Sequence, residues 1–237
     1  ATMVLKTGEA TLESAWVTAG IFLLAAGASA FNQYQEWPWD EKMERTRRRP
    51  IPARRVSPAE GVRIALICIA GGLIILMYHA NWICFLLGIF NLIWYNGLYT
   101  WLKRKTAFAV VPGALTGAVP VLMGWTAFGG DLLDPFVLFL AFFIFLWQMP
   151  HFWMRMLRYG PQYQQSGFRV LPDLFSDRQI RRIVLFWVLA ASAVSVMFAH
   201  FGMVTLKPVI YVLLSLNGIL ILILTYHLFL TKRPNFK

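Results

Sequence analysis

"AWVTAGIFLLAAGASAF", residues 15–31, runs without a break into "NQYQEWPWDEKMERTRRRP", residues 32–50. The first part is apolar enough to sit in a bilayer. The second ends it with an amide, spaced carboxylates and a cluster of arginines. Ionisable groups at the end of an apolar helix cost free energy unless they are solvated, paired or bound to a ligand, so this junction marks both a membrane span and a place to look for chemistry.

Outward from that junction the same apolar character recurs. The chain of 237 residues is 58% hydrophobic and only 14% charged, with mean hydropathy +0.58, which argues against a water-soluble globule. Segments of about 20 apolar residues, the length that crosses a bilayer, fall at 12–34, 59–79, 81–101, 107–126, 134–157, 180–202 and 206–230. None alternates apolar and polar residues with a period of two, so a barrel of strands is not expected. The expectation is an all-α bundle of seven transmembrane helices in one domain, residues 1–237.

The net charge of +11 would suggest nucleic acid in a soluble protein, but here the placement of the cations matters more than their sum. Of 22 Lys and Arg residues, 20 lie in 35–63, 103–105, 155–182 and the C-terminal tail. With seven crossings these all fall on one side, leaving Lys6 and Lys207 on the other. Positively charged loops stay in the cytoplasm, so the N-terminus is expected outside and the C-terminus inside a bacterial or archaeal plasma membrane. No nucleic-acid partner is expected; the lipid bilayer is. Cys68 and Cys84 both lie inside apolar segments and read as small packing residues. No cleavable signal peptide is visible, and because the chain opens "ATMVLKTGEAT", without Met, its start is expected to be incomplete. The long polar segments, the inside loops 35–58 and 158–179, are where function is expected.

In the first loop, Asn32, Glu36 and Asp40 are spaced by four and would stack on one face of an undistorted helix. Pro38 lacks an N–H and clashes with the preceding turn, so a kink or an end near Trp37 is expected, with Asp40 delivered by a loop. Arg45, Arg47, Arg48 and Arg49 follow at once. An arginine run alone is often only a topological anchor. Joined to an amide and two carboxylates, it suits a polyanion carrying hard cations: carboxylates hold magnesium, magnesium bridges phosphates, and arginines grip the remaining oxygens.

These residues resemble the UbiA superfamily of intramembrane prenyltransferases, and most closely its heme O synthase branch, the protoheme IX farnesyltransferases. The branch reads roughly N-Q-Y-x-D-x-D-x-D-x-x-M-x-R-T-x-x-R-P in its first loop; Asn32, Gln33, Tyr34, Asp40, Met43, Arg45, Thr46, Arg49 and Pro50 match it, with Glu36 as a conservative replacement. Ser57 and Pro58 then open a helix as they do in the family. "YTWLKRKT" (99–106), "GALTGAVPVLMGW" (113–125) and "FLWQMPHFWMRMLR" (145–158) resemble further blocks. The sequence departs from the pattern at Pro38, where the family has a carboxylate, and at Ala109, where it has Asn. In "RYGPQYQQSGFRVLP" (158–172) Gln162 replaces an Asp and Arg169 a Pro. The family has about nine spans, so this chain is expected to lack the first.

The resemblance implies a bundle around a central cavity with a prenyl diphosphate held under Mg2+-carrying inside loops. It implies transfer of the prenyl group, farnesyl in this branch, to protoheme IX to give heme O, without a protein nucleophile, and a possible place in heme A or oxidase assembly. The site expected from it comprises Asn32, Glu36 and Asp40, with Glu36 and Asp40 on the metal, Arg45, Arg49, Lys103 and Arg158 on the diphosphate, and His151 and Tyr163 on the heme acceptor. Asp173 and Asp177 either compensate for Gln162 at a second metal or form an ordinary loop and helix-cap pair. His151, Arg155 and Arg158 at i, i+4 and i+7 share a helix face, although a histidine next to Pro150 also fits a bond to a freed carbonyl. His79, His200 and His227 read as interface residues. A quinone-type aromatic acceptor, a catalytically weakened homologue that binds heme or lipid, and a transporter remain as alternatives. The last would carry its charges at mid-membrane rather than in the inner loops.

Overall fold

The computed structural model describes residues 2–198 and 207–226, and every regular element among them is helical. A short helix α1 (Thr2–Thr7) precedes α2 (Leu12–Asp40), α3 (Pro58–His79), α4 (Trp82–Leu102), α5 (Ala107–Thr126), α6 (Pro135–Gln165), α7 (Asp177–Val196) and α8 (Lys207–Thr225). Seven of these, α2 to α8, are long and apolar enough to cross a membrane, as the hydropathy pattern anticipates. His200 and His227 lie outside the described residues.

Local sequence explains the helix starts. Thr11 caps α2 by accepting the Ser14 N–H, Ser57 and Glu60 form a reciprocal capping box with Pro58 at the first position of α3, and Asn81 caps α4 by accepting the Cys84 N–H. Helices α2 and α3 pack at backbone distance. A methyl group at position 72 would lie 2.8 Å from the Gly20 carbonyl oxygen, and one at position 27 would lie 2.9 Å from that of Ala65. Two apolar cores result. One gathers Val17, Leu24, Leu76, Cys84, Val119 and Met123 toward the end of the bundle where α2 starts; the other gathers Ala107, Val110, Met149, Trp153, Ile180 and Val184 toward the opposite end.

Two expectations about helix ends are corrected. Helix α2 does not stop near Trp37: it runs through Pro38 to Asp40, and Glu41 N–H still reaches the Trp37 carbonyl at 3.0 Å. Placed in the last turn, the proline forfeits one hydrogen bond at an end that is about to open anyway, so helical packing wins over local propensity. Helix α6 likewise continues past the expected span to Gln165 with Pro150 and Pro161 inside it, which leaves the second loop shorter than 158–179.

Helix α4 contains a wide, π-helical stretch over Ile93–Tyr99. Here Thr100 Oγ1 donates to the Tyr95 carbonyl, and Asn96 Nδ2 donates to the Ala28 carbonyl (2.9 Å) and to Gln35 Oε1 (3.1 Å). Such local widening re-aims side chains and is common at functional sites.

Candidate functional site

Because α2 stays helical, the residues at every fourth position from Gly20 through Leu24, Ala28, Asn32 and Glu36 to Asp40 are all buried on one face. The first three are apolar or small; the last three are polar. That face is matched by α4, which runs parallel to α2 and meets it in successive rungs: Asn96 to Ala28, Thr100 to Asn32 and Lys103 to Glu36. Asn32 Nδ2 donates to Thr100 Oγ1 at 3.0 Å. Lys103 Nζ lies 2.7 Å from Glu36 Oε1 and donates to Oε2 at 2.9 Å. Only the second contact is a directed hydrogen bond, so Oε1 is sealed from solvent with a charge contact and no bond of its own.

The loop after α2 closes the site. Arg49 donates to Asp40 Oδ2 at 2.7 Å, Thr46 Oγ1 donates to the Asp40 carbonyl at 2.9 Å, and Met43 is buried beneath. Arg45 donates to the Tyr163 hydroxyl at 2.8 Å and lies over the Tyr159 and Tyr163 rings. Asn32, Glu36, Asp40, Met43, Arg45, Arg49, Lys103 and Tyr163 line a cavity of about 210 Å3 at the loop end of the bundle, which also receives Tyr95, Tyr99, Phe152, Arg155, Phe168 and Arg169. Five cations, Arg45, Arg49, Lys103, Arg155 and Arg169, face two carboxylates there, leaving an excess of three positive charges. Tyr95 and Thr116 also line a second, apolar cavity of about 290 Å3 deeper in the bundle, walled by Ile21, Leu24, Gly88, Leu92, Pro120 and Met123. A charged chamber therefore adjoins a greasy one.

The structure brings Asn32, Glu36, Asp40, Arg45, Arg49, Lys103 and Tyr163 together. It leaves others out. Arg158 is exposed and stands over the Tyr159 ring without lining the cavity. His151 does not line this cavity: its ring stacks on Trp147 and it lines a separate apolar groove between α6, α7 and α8, whereas Phe152 and Arg155 line the charged cavity. Asp173 is exposed and spends its carboxylate on the Val170 N–H and the Gln164 amide, both at 2.8 Å. The Val170 bond above all, then the Gln164 amide and the nearby Arg169, hold its pKa below the usual 3.8. Asp177 is exposed in the first turn of α7, and neither acid lines the cavity. His79 bonds Glu13 at 2.9 Å and stacks on Trp16 where α3 ends.

Sequence reading missed Tyr95, Tyr99 and Arg169. The first two are placed by the π-helical stretch, which no pattern announces. Arg169 reads only as a lost proline until α6 and its following turn bring it to the cavity mouth.

Among the described residues no third His, Cys, Asp or Glu joins Glu36 and Asp40 in a larger metal-ligating group. The two carboxylates nonetheless suit a hard divalent cation: they are one helical turn apart, buried, oxygen-only donors on the cavity wall.

A helical membrane protein with a positively charged chamber at one end of its bundle, adjoining an apolar one, is the class these features define. More particularly, the chain belongs to the UbiA prenyltransferase family, whose pattern matches residues 2–236. The protoheme IX farnesyltransferase of Geobacter sulfurreducens is 43% identical over 166 residues, covering 70% of this chain and 60% of that protein. The protein of that name from Bdellovibrio bacteriovorus is 38% identical over 157 residues, covering 65% of this chain and 52% of its own. The chain thus spans less than two thirds of the length of these relatives. Among solved structures, a digeranylgeranylglyceryl phosphate synthase superposes with TM-score 0.72 at 17% identity, covering 97% of this chain and 78% of that one. A UbiA homolog from Aeropyrum pernix K1 does so with TM-score 0.72 at 18% identity, covering 96% and 83%. Identities so low speak for the fold alone.

Proposed function

We propose that the chain transfers a farnesyl group from farnesyl diphosphate to protoheme IX within the membrane, giving heme O. The observation that carries the prenyl-diphosphate part is the pairing of chambers: a cavity with an excess of three positive charges meets an apolar cavity at Tyr95 and Thr116, matching a ligand that is a polyanion at one end and a hydrocarbon at the other. The farnesyl and heme parts rest on the names of the relatives.

The chemistry begins with heterolysis of the allylic carbon–oxygen bond, whose electron pair leaves with the pyrophosphate. Arg45, Arg49, Lys103, Arg155 and Arg169 line the cavity and would take up that developing negative charge. Glu36 and Asp40 would hold Mg2+, which when bound supplies further neutralisation of the leaving group. The Tyr95 and Tyr99 rings line the charged chamber, and the adjoining apolar chamber offers the prenyl tail hydrocarbon walls. An electron-rich carbon of the acceptor then attacks. For a heme vinyl group, water adds to the resulting cation and loses a proton, for which the released pyrophosphate is a competent base.

The loops carrying the site are assigned to the cytoplasmic face by their charge. The test is to incubate membranes bearing the protein with farnesyl diphosphate, Mg2+ and heme, and to examine the pigments by mass spectrometry. A farnesyl-hydroxyethyl heme is expected. Prenylation of a quinone precursor instead would move the acceptor to the aromatic class, and no product with either would leave a binding homologue.

A further inference from the structure

We propose that Lys103 and Arg49 are exchangeable counter-ions that make divalent-cation binding at Glu36 and Asp40 conditional on prior or simultaneous binding of a diphosphate. The proposal rests on the diphosphate reading above.

Each buried carboxylate already has one cation, supplied by a different part of the chain: Lys103 from the end of α4 for Glu36, and Arg49 from the loop for Asp40. The partners are unequally buried. The Glu36 and Asp40 side chains are 6% and 2% exposed, whereas those of Lys103 and Arg49 are 20% and 33% exposed and border the cavity. The acids are therefore fixed by α2, while the bases sit on the ligand side with room to turn. Lys103 also lies 4.8 Å from the centre of the Tyr99 ring, a second weak contact that remains available as it swings.

Charge decides the order. A bare divalent cation would enter a cavity that already carries an excess of three positive charges and would find both acids covered. A diphosphate is drawn by that same excess. Moving Lys103 or Arg49 off its acid with nothing to replace it would strand a buried carboxylate, which is strongly unfavourable. The exchange is therefore concerted: the base passes to a phosphate oxygen as the cation takes its place on the acid. Both Glu36 oxygens lie against the same ammonium, Oε1 at 2.7 Å and Oε2 at 2.9 Å, so one swing of Lys103 frees the whole carboxylate.

The experiment is equilibrium dialysis of the purified full chain in nanodiscs at fixed free Mn2+, with and without inorganic pyrophosphate, counting both Mn2+ and radiolabelled pyrophosphate retained. For the unaltered chain, Mn2+ is expected to bind about 10- to 100-fold more tightly with pyrophosphate than without, the usual range for two coupled sites. Lys103→Met should retain Mn2+ without pyrophosphate and lose most of the dependence, and Lys103→Arg should keep it. Should Lys103→Met fail to fold, Arg49→Gln makes the same test at Asp40. Equal Mn2+ binding with and without pyrophosphate in the unaltered chain overturns the exchange, and so does an unchanged dependence in a folded variant. If pyrophosphate is not retained at all, with or without Mn2+, the diphosphate reading itself falls and the exchange with it.

Discussion

The Arg45 guanidinium donates a 2.8 Å hydrogen bond to the Tyr163 hydroxyl, 118 residues away in sequence, and so ties the loop after α2 to the end of α6. Aromatic contacts reinforce the tie: Tyr163 meets Phe168 edge to face at 5.7 Å, and Phe168 in turn meets Trp39 at 6.4 Å. Since Arg45, Tyr163, Phe168 and Arg169 all line the charged cavity, this contact holds two loops in one frame across its mouth.

Removing only the hydroxyl, with Tyr163→Phe, keeps the ring under Arg45 and loses one hydrogen bond to a charged group, worth roughly 1.5–3 kcal/mol. Because the contact is exposed, the lower end of that range or less is expected, seen as a rise in KM for the prenyl diphosphate of up to about tenfold with kcat little changed. Arg45→Ala removes a phosphate-facing charge as well, and both kcat and kcat/KM should fall by about 100-fold. Steady-state kinetics on both variants checks the ordering; a larger effect from Tyr163→Phe than from Arg45→Ala would contradict it.

At the second loop the side chain to question is Gln162. Its Oε1 is sealed from solvent without a hydrogen-bond partner, and the residue does not line the cavity. Gln162→Asp should therefore not lower the Mg2+ concentration for half-maximal rate. It should instead lower the melting temperature, since an unpaired carboxylate is being buried. Asp173→Asn tests the companion idea. Its carboxylate accepts the Val170 N–H at a turn, and an Asn amide oxygen can keep that bond, so less than about 1 kcal/mol of stability is lost and activity is kept. Its folded pKa is depressed, so its contribution to stability is present above about pH 3.8 and disappears as the pH falls through the lower folded value. The melting temperature of Asp173→Asn should depend less on pH below 4 than that of the unaltered chain.

Topology makes the third prediction. Ala53 is an exposed residue of the first basic loop, and Gln165 is the exposed last residue of α6, at the entry to the second. If those loops face the cytoplasm, Ala53→Cys and Gln165→Cys are shielded from a membrane-impermeant thiol reagent in sealed cells and become labelled when the membrane is opened. Labelling of either in sealed cells reverses the assignment.

How much of this was legible beforehand follows from which forces are local. The seven spans could be read because burial in lipid needs long apolar runs, and the first loop because its amide, acids and arginines are contiguous in sequence. The course of α2 past Pro38 could not: local propensity breaks the helix there, and only packing against α4, through Asn32–Thr100 and Glu36–Lys103, shows why it continues. The same holds for His151 and Arg155. Helical spacing puts them near one another, but Arg155 joins Phe152 at the cavity while His151 joins Trp147 in the groove, and the period does not show where that divide falls. Tyr95 and Tyr99 depend on a π-helical stretch whose hydrogen bonds run to residues more than 60 positions away.

The apolar chamber permits a test of the donor's tail that leaves the charged cavity untouched. Gly88 lies on its wall, and a methyl group there would sit 3.0 Å from Leu24 Cδ1, 3.3 Å from Met123 Cε and 3.5 Å from Leu76 Cδ1. Those neighbours are ends of flexible side chains, so Gly88→Ala should be accommodated with a small loss of stability. Gly88→Leu cannot be, without occupying part of the 290 Å3 chamber; overpacking of this kind costs about 1–3 kcal/mol. If the farnesyl tail lies there, Gly88→Leu should lower kcat/KM for farnesyl diphosphate by about tenfold or more while geranyl diphosphate, shorter by one isoprene unit, loses less, since a few methylenes in an apolar pocket are worth factors of this size. Binding of inorganic pyrophosphate should be unchanged, because no charged group has moved. Equal losses for both donors in a folded protein would show that the tail leaves the charged cavity by another route, and a loss of pyrophosphate binding would show that Gly88→Leu had disturbed the bundle rather than blocked the chamber.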